Sequence, residues 1–201
     1  KAVFIEHEFL NTLSERESLS GFAEVIKHGL IADKAYYQTL KNSNFKQLDP
    51  AIVLRSVEIK NQVVTEDPKE QNLRKILNFG HTIGHAVESY ALNHDQKPLT
   101  HGEAIAIGMI CEAFLSQRYN HLEETELKDI TSYITSLYPK YTIAQDSFET
   151  LLKLMQSDKK NEHGQILFSL LDHIGHCEYN CRVTEKDILE SLVYYNSIYA
   201  V

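Results

Sequence analysis

Two histidines, His81 and His85, stand four residues apart in the run Asn78-Phe-Gly-His-Thr-Ile-Gly-His. On a helix that spacing puts both imidazoles on one face, one turn apart. Imidazole transfers protons near neutral pH and ligates metals. Gly80 and Gly84 punctuate the run. A glycine costs up to about 1 kcal/mol against alanine inside a helix, so two in one turn mark a close approach of a ligand, a metal or another helix. Arg74 and Asn78 lie just upstream, again four apart. One continuous helix from the Lys69-Glu70 pair to about Leu92 would stack Arg74, Asn78, His81 and His85 on one side, an anion- or metal-binding face. His101 follows Thr100 and precedes Gly102-Glu103, which has the form of a capping box. That places His101 in a first helical turn, where the helix dipole disfavours a protonated ring and favours a neutral, metal-binding one. Glu24, Lys27 and His28 fall at i, i+3 and i+4 with apolar flanks and Gly29 behind them. They read either as a solvated salt-bridge cluster or as a buried group.

Candidate ligands therefore come from three helices: Glu24, His81 (or His85) and His101. Two imidazoles and one carboxylate leave a coordination position open, as in catalytic rather than structural zinc sites. Thr82 stands where a zincin would carry its glutamate, so the spacing alone does not identify a metal enzyme.

The elements that must hold these residues read as follows. Residues 1–19 give a short strand, Ala2 to Ile5, and a loop. Ser20 caps a helix to about Leu40, with Phe22, Val25, Ile26 and Leu30 inward. Asp49-Pro50 starts a helix to about Thr65, whose stripe Val53, Val57, Val64 contains Lys60. A lysine there either snorkels or points into a pocket. Asp67-Pro68 ends it. The helix behind Thr100 is apolar most of the way round to about Tyr119, hence central. Glu123 to Leu137 is amphipathic, with Leu127, Ile130, Ile134 and Leu137 inward. Asp146 caps a helix to about Gln156. A Glu-His-Gly turn, two strands (Gln165 to Leu171, about Gly175 to Val183) and a helix capped by Thr184, Glu185 to Tyr199, complete the chain. The fold class is mainly α: a multi-helical domain with one small β-hairpin.

The 201 residues are 43% hydrophobic and 24% charged, enough for a sizeable core, and carry a formal net charge of -8. That balance argues against a nucleic-acid partner while leaving room for a local basic pocket. Cys111, Cys177 and Cys181 form no disulfide framework or zinc-ribbon pattern and suit a reducing, cytoplasmic setting. There is no apolar run of about 18 residues and hence no membrane span. The N-terminus lacks both an initiator methionine and a signal peptide, so a fragment is expected.

Four runs, in order, carry a resemblance: Gly21-Phe-Ala-Glu-Val-Ile-Lys-His-Gly-Leu-Ile, Leu77-Asn-Phe-Gly-His-Thr-Ile-Gly-His-Ala, His101-Gly-Glu-Ala-Ile-Ala-Ile-Gly-Met and Met155-Gln-Ser-Asp-Lys-Lys. Together they resemble 3-dehydroquinate synthase over most of the chain. The resemblance implies a shikimate-pathway lyase of chorismate and aromatic amino-acid biosynthesis. It would convert 3-deoxy-D-arabino-heptulosonate 7-phosphate to 3-dehydroquinate and phosphate, using NAD and Zn2+ (or Co2+). It implies that Glu24, His81 and His101 bind the metal and that His85 contacts substrate and transfers protons. Lys27, Lys60, Arg74 and Asn78 would hold substrate, Glu70 would act as base, and Lys159 or Lys160 would add a further substrate lysine. Catalytic roles thus fall on His85, Glu70 and Lys60. Residues 20–201 correspond to the helical metal- and substrate-binding domain. Residues 1–19, with Phe9, Leu10, Asn11 and Thr12 near the nucleotide, resemble only the last edge of the family's NAD-binding domain. Ser20 stands where some relatives have Asn. The resemblance also implies a homodimer and an inactive isolated chain. Two other readings are another sugar-phosphate cyclase with altered substrate contacts, and a non-catalytic metal-binding assembly module.

Overall fold

The helix His101–Tyr119 is the axis on which the other elements pack, because its sequence offers no polar face wide enough to meet water. The computed structural model describes residues 5–158 and 166–199. In chain order the helices are α1 (Glu15–Ala32), α2 (Lys34–Lys41), α3 (Pro50–Glu66), α4 (His81–His94), α5 (His101–Tyr119), α6 (Glu124–Leu137), α7 (Phe148–Asp158) and α8 (Glu185–Ser197). Two strands, β1 (Leu167–His173) and β2 (His176–Arg182), pair antiparallel between α7 and α8. Their register runs from Leu167 opposite Arg182 to His173 opposite His176. The architecture is mainly α with one hairpin, as the periodicity predicts.

Two glycines let α5 be approached so closely. A Cβ on Gly108 would lie 1.9 Å from the Gly80 carbonyl oxygen, and one on Gly102 would lie 2.0 Å from the Ser20 carbonyl oxygen. The first contact seats the start of α4 on α5, and the second seats α1 on the first turn of α5. Three helices therefore converge where Glu24, His81 and His101 stand.

Several boundaries differ from the sequence expectations, each for a local reason. Ser14, not Ser20, caps α1, through a reciprocal box with Glu17. Ser20 lies inside α1, and its hydroxyl accepts from the Gly102 N–H at 2.9 Å, so it serves the start of α5 instead. The helix expected to reach Leu40 is two helices: Asp33 ends α1 and caps α2, its carboxylate also pairing with Arg55. On α3, capped by Asp49 as expected, the buried stripe is Ile52, Ser56, Ile59 and Val63. The stripe read through Val53, Val57 and Val64 is only half-buried, and Lys60 is exposed.

The largest correction concerns Arg74 to His85, which is not one helix. Leu73–Asn78 is a 3-10 turn, and α4 starts afresh at His81. The Asp67 carboxylate collects the Gln71, Asn72 and Arg74 N–H groups, at 3.1, 2.7 and 3.2 Å, and so competes with a helical ladder. Phe79 is fully buried, and Gly80 reverses the chain at φ +79°. Asp146 falls within a 3-10 turn, Gln145–Ser147, rather than capping α7. The expected capping box of α5 is present, with Thr100 and Glu103 bonded reciprocally. Thr184 caps α8 as expected, and the helix ends at Ser197. Lys159, Lys160, the Glu-His-Gly turn and residues 2–4 of the expected first strand lie outside the described residues.

Candidate metal and substrate site

Glu24 lies in the middle of α1, and its two carboxylate oxygens do different work. Oε2 accepts from the Lys27 ammonium at 2.7 Å, an i,i+3 pair in which Lys27 is only 3% exposed. Oε1 is buried and accepts no hydrogen bond. It faces His81 Nε2 at 3.3 Å and His101 Nε2 at 4.0 Å. Burial alone would raise the Glu24 carboxyl, but the His81 contact and the Lys27 charge outweigh it and hold it well below the ordinary range. Burial and the Lys27 charge push the His81 imidazole down more than Glu24 pulls it up, which favours the neutral ring.

The proton of each imidazole can be placed by its partner. His81 Nδ1 lies 3.0 Å from the Phe79 carbonyl oxygen, which can only accept, so Nδ1 carries the hydrogen and Nε2 a lone pair. His101 Nδ1 lies 3.1 Å from Glu88 Oε2 and is oriented in the same sense. Two imidazole lone pairs thus face an orphaned carboxylate oxygen. A divalent cation resolves that arrangement, because all three donors are of the types zinc takes and the outer ring nitrogens are already tied. His85 completes the cluster, with one ligand atom within 4.8 Å of those of His81 and His101. Its ring centroid is 5.1 Å from His81 and 5.8 Å from His101.

α4 starts at His81 without a capping side chain of its own. Glu112, fully buried on α5, supplies the missing acceptor: Oε2 takes the Gly80 N–H at 2.7 Å and Oε1 the Ile83 N–H at 3.1 Å. A carboxylate there also complements the positive end of the α4 dipole. The first turn of α5 is fixed by Arg16, which grips Glu103 and the Pro98 carbonyl. These supports hold His81 and His101 at fixed separation.

Lys27 and Lys60 are close enough to act on each other. Burial lowers the Lys27 ammonium, Glu24 raises it, and the positive charge of the exposed Lys60 on α3 lowers it again. His28 is buried beside them, its Nδ1 2.7 Å from Ser56 Oγ, and burial followed by the Lys27 charge pushes it down to about 4. The cluster of Glu24, Lys27 and His28 is thus a buried group, not a solvated one. Glu70, Arg74 and Asn78 form a second group on the segment leading into α4. Asn78 Nδ2 donates to Glu70 Oε1 at 3.1 Å, Arg74 Nε lies 4.0 Å from Glu70 Oε2, and Glu70 adopts φ +56°. Phe9, Leu10, Asn11 and Thr12 lie on an exposed 3-10 turn, His7–Thr12, with Phe9 73% exposed.

Glu88 and Glu112 were not singled out in the sequence, although each left a signal. Glu88 follows His81 by seven residues, two turns along one face. Glu112 is a carboxylate inside an otherwise apolar helix, a placement that demands a partner.

Residues 21–161 match the family described as 3-dehydroquinate synthase C-terminal. A 3-dehydroquinate synthase of Parabacteroides distasonis is 41% identical over 204 residues, covering 99% of this chain and 57% of that protein. One from Thermodesulfovibrio yellowstonii is 38% identical over 198 residues, covering 94% and 54%. The chain thus spans just over half the length of the curated relatives it matches. Among solved structures, the 2-epi-5-epi-valiolone synthase ValA of Streptomyces hygroscopicus, with NAD+ and Zn2+ bound, superposes with a TM-score of 0.78 at 25% identity, over 96% of this chain and 55% of that one. A 2-deoxy-scyllo-inosose synthase with carbaglucose-6-phosphate, NAD+ and Co2+ shares the fold, with a TM-score of 0.75 at 24% identity over 93% and 54%. No helix among the described residues is long and apolar enough to cross a membrane. The match across the segments that carry Glu24, His81, His85 and His101, and the identity over nearly the whole chain, place it in the 3-dehydroquinate synthase family, in the part that corresponds to the C-terminal domain.

Proposed function

We propose that the chain is the metal- and substrate-binding half of a 3-dehydroquinate synthase, a lyase that converts 3-deoxy-D-arabino-heptulosonate 7-phosphate to 3-dehydroquinate and phosphate. The observation that carries this reading is the orphaned Glu24 Oε1 facing His81 Nε2 and His101 Nε2. Glu24, His81 and His101 would hold Zn2+ or Co2+, leaving His85 beside the open position. A divalent ion held there would polarise a substrate hydroxyl and lower its pKa, preparing the bound carbon for oxidation.

The protein's own side chains supply the rest. Lys27, Lys60 and Arg74 offer positive charge to a substrate with one carboxylate and one phosphate. Asn78 orients Glu70, whose carboxylate is the base, and Arg74 stands beside the same carboxylate. His85 gives or takes a proton at the substrate oxygen beside it. The described residues do not fit NAD by themselves: their sheet is a two-stranded antiparallel hairpin, whereas a doubly wound dinucleotide site needs a parallel one. NAD is assigned to the remaining length of the full protein, with Phe9 to Thr12 at its edge. The same division predicts an assembly with that N-terminal part, and the family resemblance implies a homodimer.

Related cyclases share the fold, but the relatives at 38–41% identity carry the 3-dehydroquinate synthase name, and they weigh more than structures at 24–25%. The test is a phosphate-release assay with NAD, Zn2+ and 3-deoxy-D-arabino-heptulosonate 7-phosphate. The chain should be inactive alone and active with a separately made N-terminal domain, and Lys60→Met should remove that activity while leaving the fold intact. Release by the chain alone would overturn the division into halves. Turnover of a different sugar phosphate in place of this one would assign the chain to another cyclase.

A further inference from the structure

A second cluster of metal-ligating side chains stands outside the site described above. The run Asp172-His-Ile-Gly-His176 forms the closed end of the β1–β2 hairpin. His173 and His176 are cross-strand partners on the last rung. Asp172 Oδ1 lies 2.9 Å from His173 Nδ1 and 2.8 Å from His176 Nδ1, and the ligand atoms of all three residues fall within 4.8 Å of one another. Both imidazoles are 56% exposed, so a cation from solution reaches them.

The turn that carries them is anchored. Gly175, at φ +100°, donates its N–H to the Leu30 carbonyl at 2.7 Å, and a Cβ there would lie 2.7 Å from the Lys34 backbone nitrogen. Ile174 is 2% exposed, and its N–H meets Glu126 Oε2 at 3.4 Å. The hairpin end is therefore docked on α1, α2 and α6, and the two histidines project from a fixed base. A site held on rigid elements loses less on ordering its ligands.

We propose that Asp172, His173 and His176 form a second site for a divalent transition-metal cation at the end of the hairpin. Two imidazoles and one carboxylate favour Zn2+, Ni2+, Co2+ or Cu2+ over Mg2+ and Ca2+, which take all-oxygen sets. The open positions belong to water, so the site is a surface clip rather than a reaction centre. It shares no residue with the cluster around Glu24. Gly175 docks at Leu30, six residues beyond Glu24, about 9 Å along the α1 axis at 1.5 Å per residue.

Equilibrium dialysis against Ni2+ with metal analysis tests this. The 201-residue chain should bind one equivalent more than the His173→Ala/His176→Ala double variant. Asp172→Asn should weaken that equivalent at least about tenfold, since losing even an outer partner of a ligand costs that much and Asp172 is itself a ligand. His81→Ala should leave it in place. Because both hairpin histidines are exposed, circular dichroism should show the double variant folded as the parent. Equal stoichiometry in the parent and the double variant would overturn the proposal and leave Asp172 as the hydrogen-bond acceptor of two imidazoles and nothing more.

Discussion

Two histidine clusters in this molecule are built in opposite ways. The hairpin cluster comes from five consecutive residues, so backbone pairing alone brings its ligands together. The cluster of Glu24, His81, His85 and His101 comes from three helices and is held by groups that never touch its centre: Glu88 and the Phe79 carbonyl on the outer ring nitrogens, Glu112 under α4, and Ser20 and Arg16 at the start of α5. A local cluster can be read from spacing but exposes its ligands. An assembled cluster can withdraw some of them, here His81 and the inner oxygen of Glu24, while His101 stays open, and it depends on every support. That dependence is what makes the two separable by experiment.

The sharpest break is at the centre of the assembled cluster. His81→Ala or His101→Ala should abolish stoichiometric zinc at that site, measured by metal analysis after dialysis, while the hairpin site is unaffected. Unchanged zinc in both variants would remove the site. Since neutral imidazoles are required, zinc affinity should also fall as pH drops through the histidine range.

Next in size is the support under α4. Glu112→Ala strips acceptors from two buried N–H groups, Gly80 and Ile83, and should cost about 3 kcal/mol of stability, at 1–3 kcal/mol per unsatisfied buried group. Urea unfolding measures it. A loss near zero would mean that water or a neighbouring acceptor replaces the carboxylate. The hairpin turn rests instead on the Leu30 carbonyl and, through one longer bond of 3.4 Å, on the Glu126 carboxylate.

Glu88→Ala should leave folding intact and weaken zinc binding about 10–100-fold, the usual consequence of losing a carboxylate that orients a ligating imidazole. Isothermal titration with Zn2+ reads it, and Glu88→Gln, which keeps an acceptor, should recover most of the affinity. Equal affinity in all three proteins would mean that His101 needs no orienting partner.

The smallest effect belongs to a surface network that serves neither cluster. Asp187 accepts from the Thr184 hydroxyl, the Tyr119 hydroxyl at 2.5 Å and Arg118 at 2.6 Å, and these hold its carboxyl down to about 2. Its folded value lies below the unfolded one of about 3.9. The stability it adds is therefore complete above about pH 4 and lost as pH falls toward 2. Asp187→Asn should flatten that part of the stability–pH curve without altering zinc binding, as followed by thermal unfolding across pH 2–5.

The helical class, the cap residues Asp49, Thr100 and Thr184, the central place of α5 and the closing hairpin were legible because each rests on a local rule: capping chemistry, apolar periodicity or strand alternation. The candidate ligands were legible as residue types at telling spacings, and the four quoted runs carried the family. The break between Arg74 and His81 was not legible. It depends on Asp67 drawing in three N–H groups and on Phe79 being pulled fully into the core, and both are gains available only once neighbouring elements are in place. The exposure of Lys60 was hidden for the same reason, since α3 presents Ile52, Ser56, Ile59 and Val63 to α1 and turns its valine row aside. Sequence fixes which groups each helix can offer. Only packing decides which oxygen of Glu24 meets Lys27 and which meets the histidines. That choice depends on the close approach at Gly80, Gly102 and Gly108, where backbone meets backbone across separate elements.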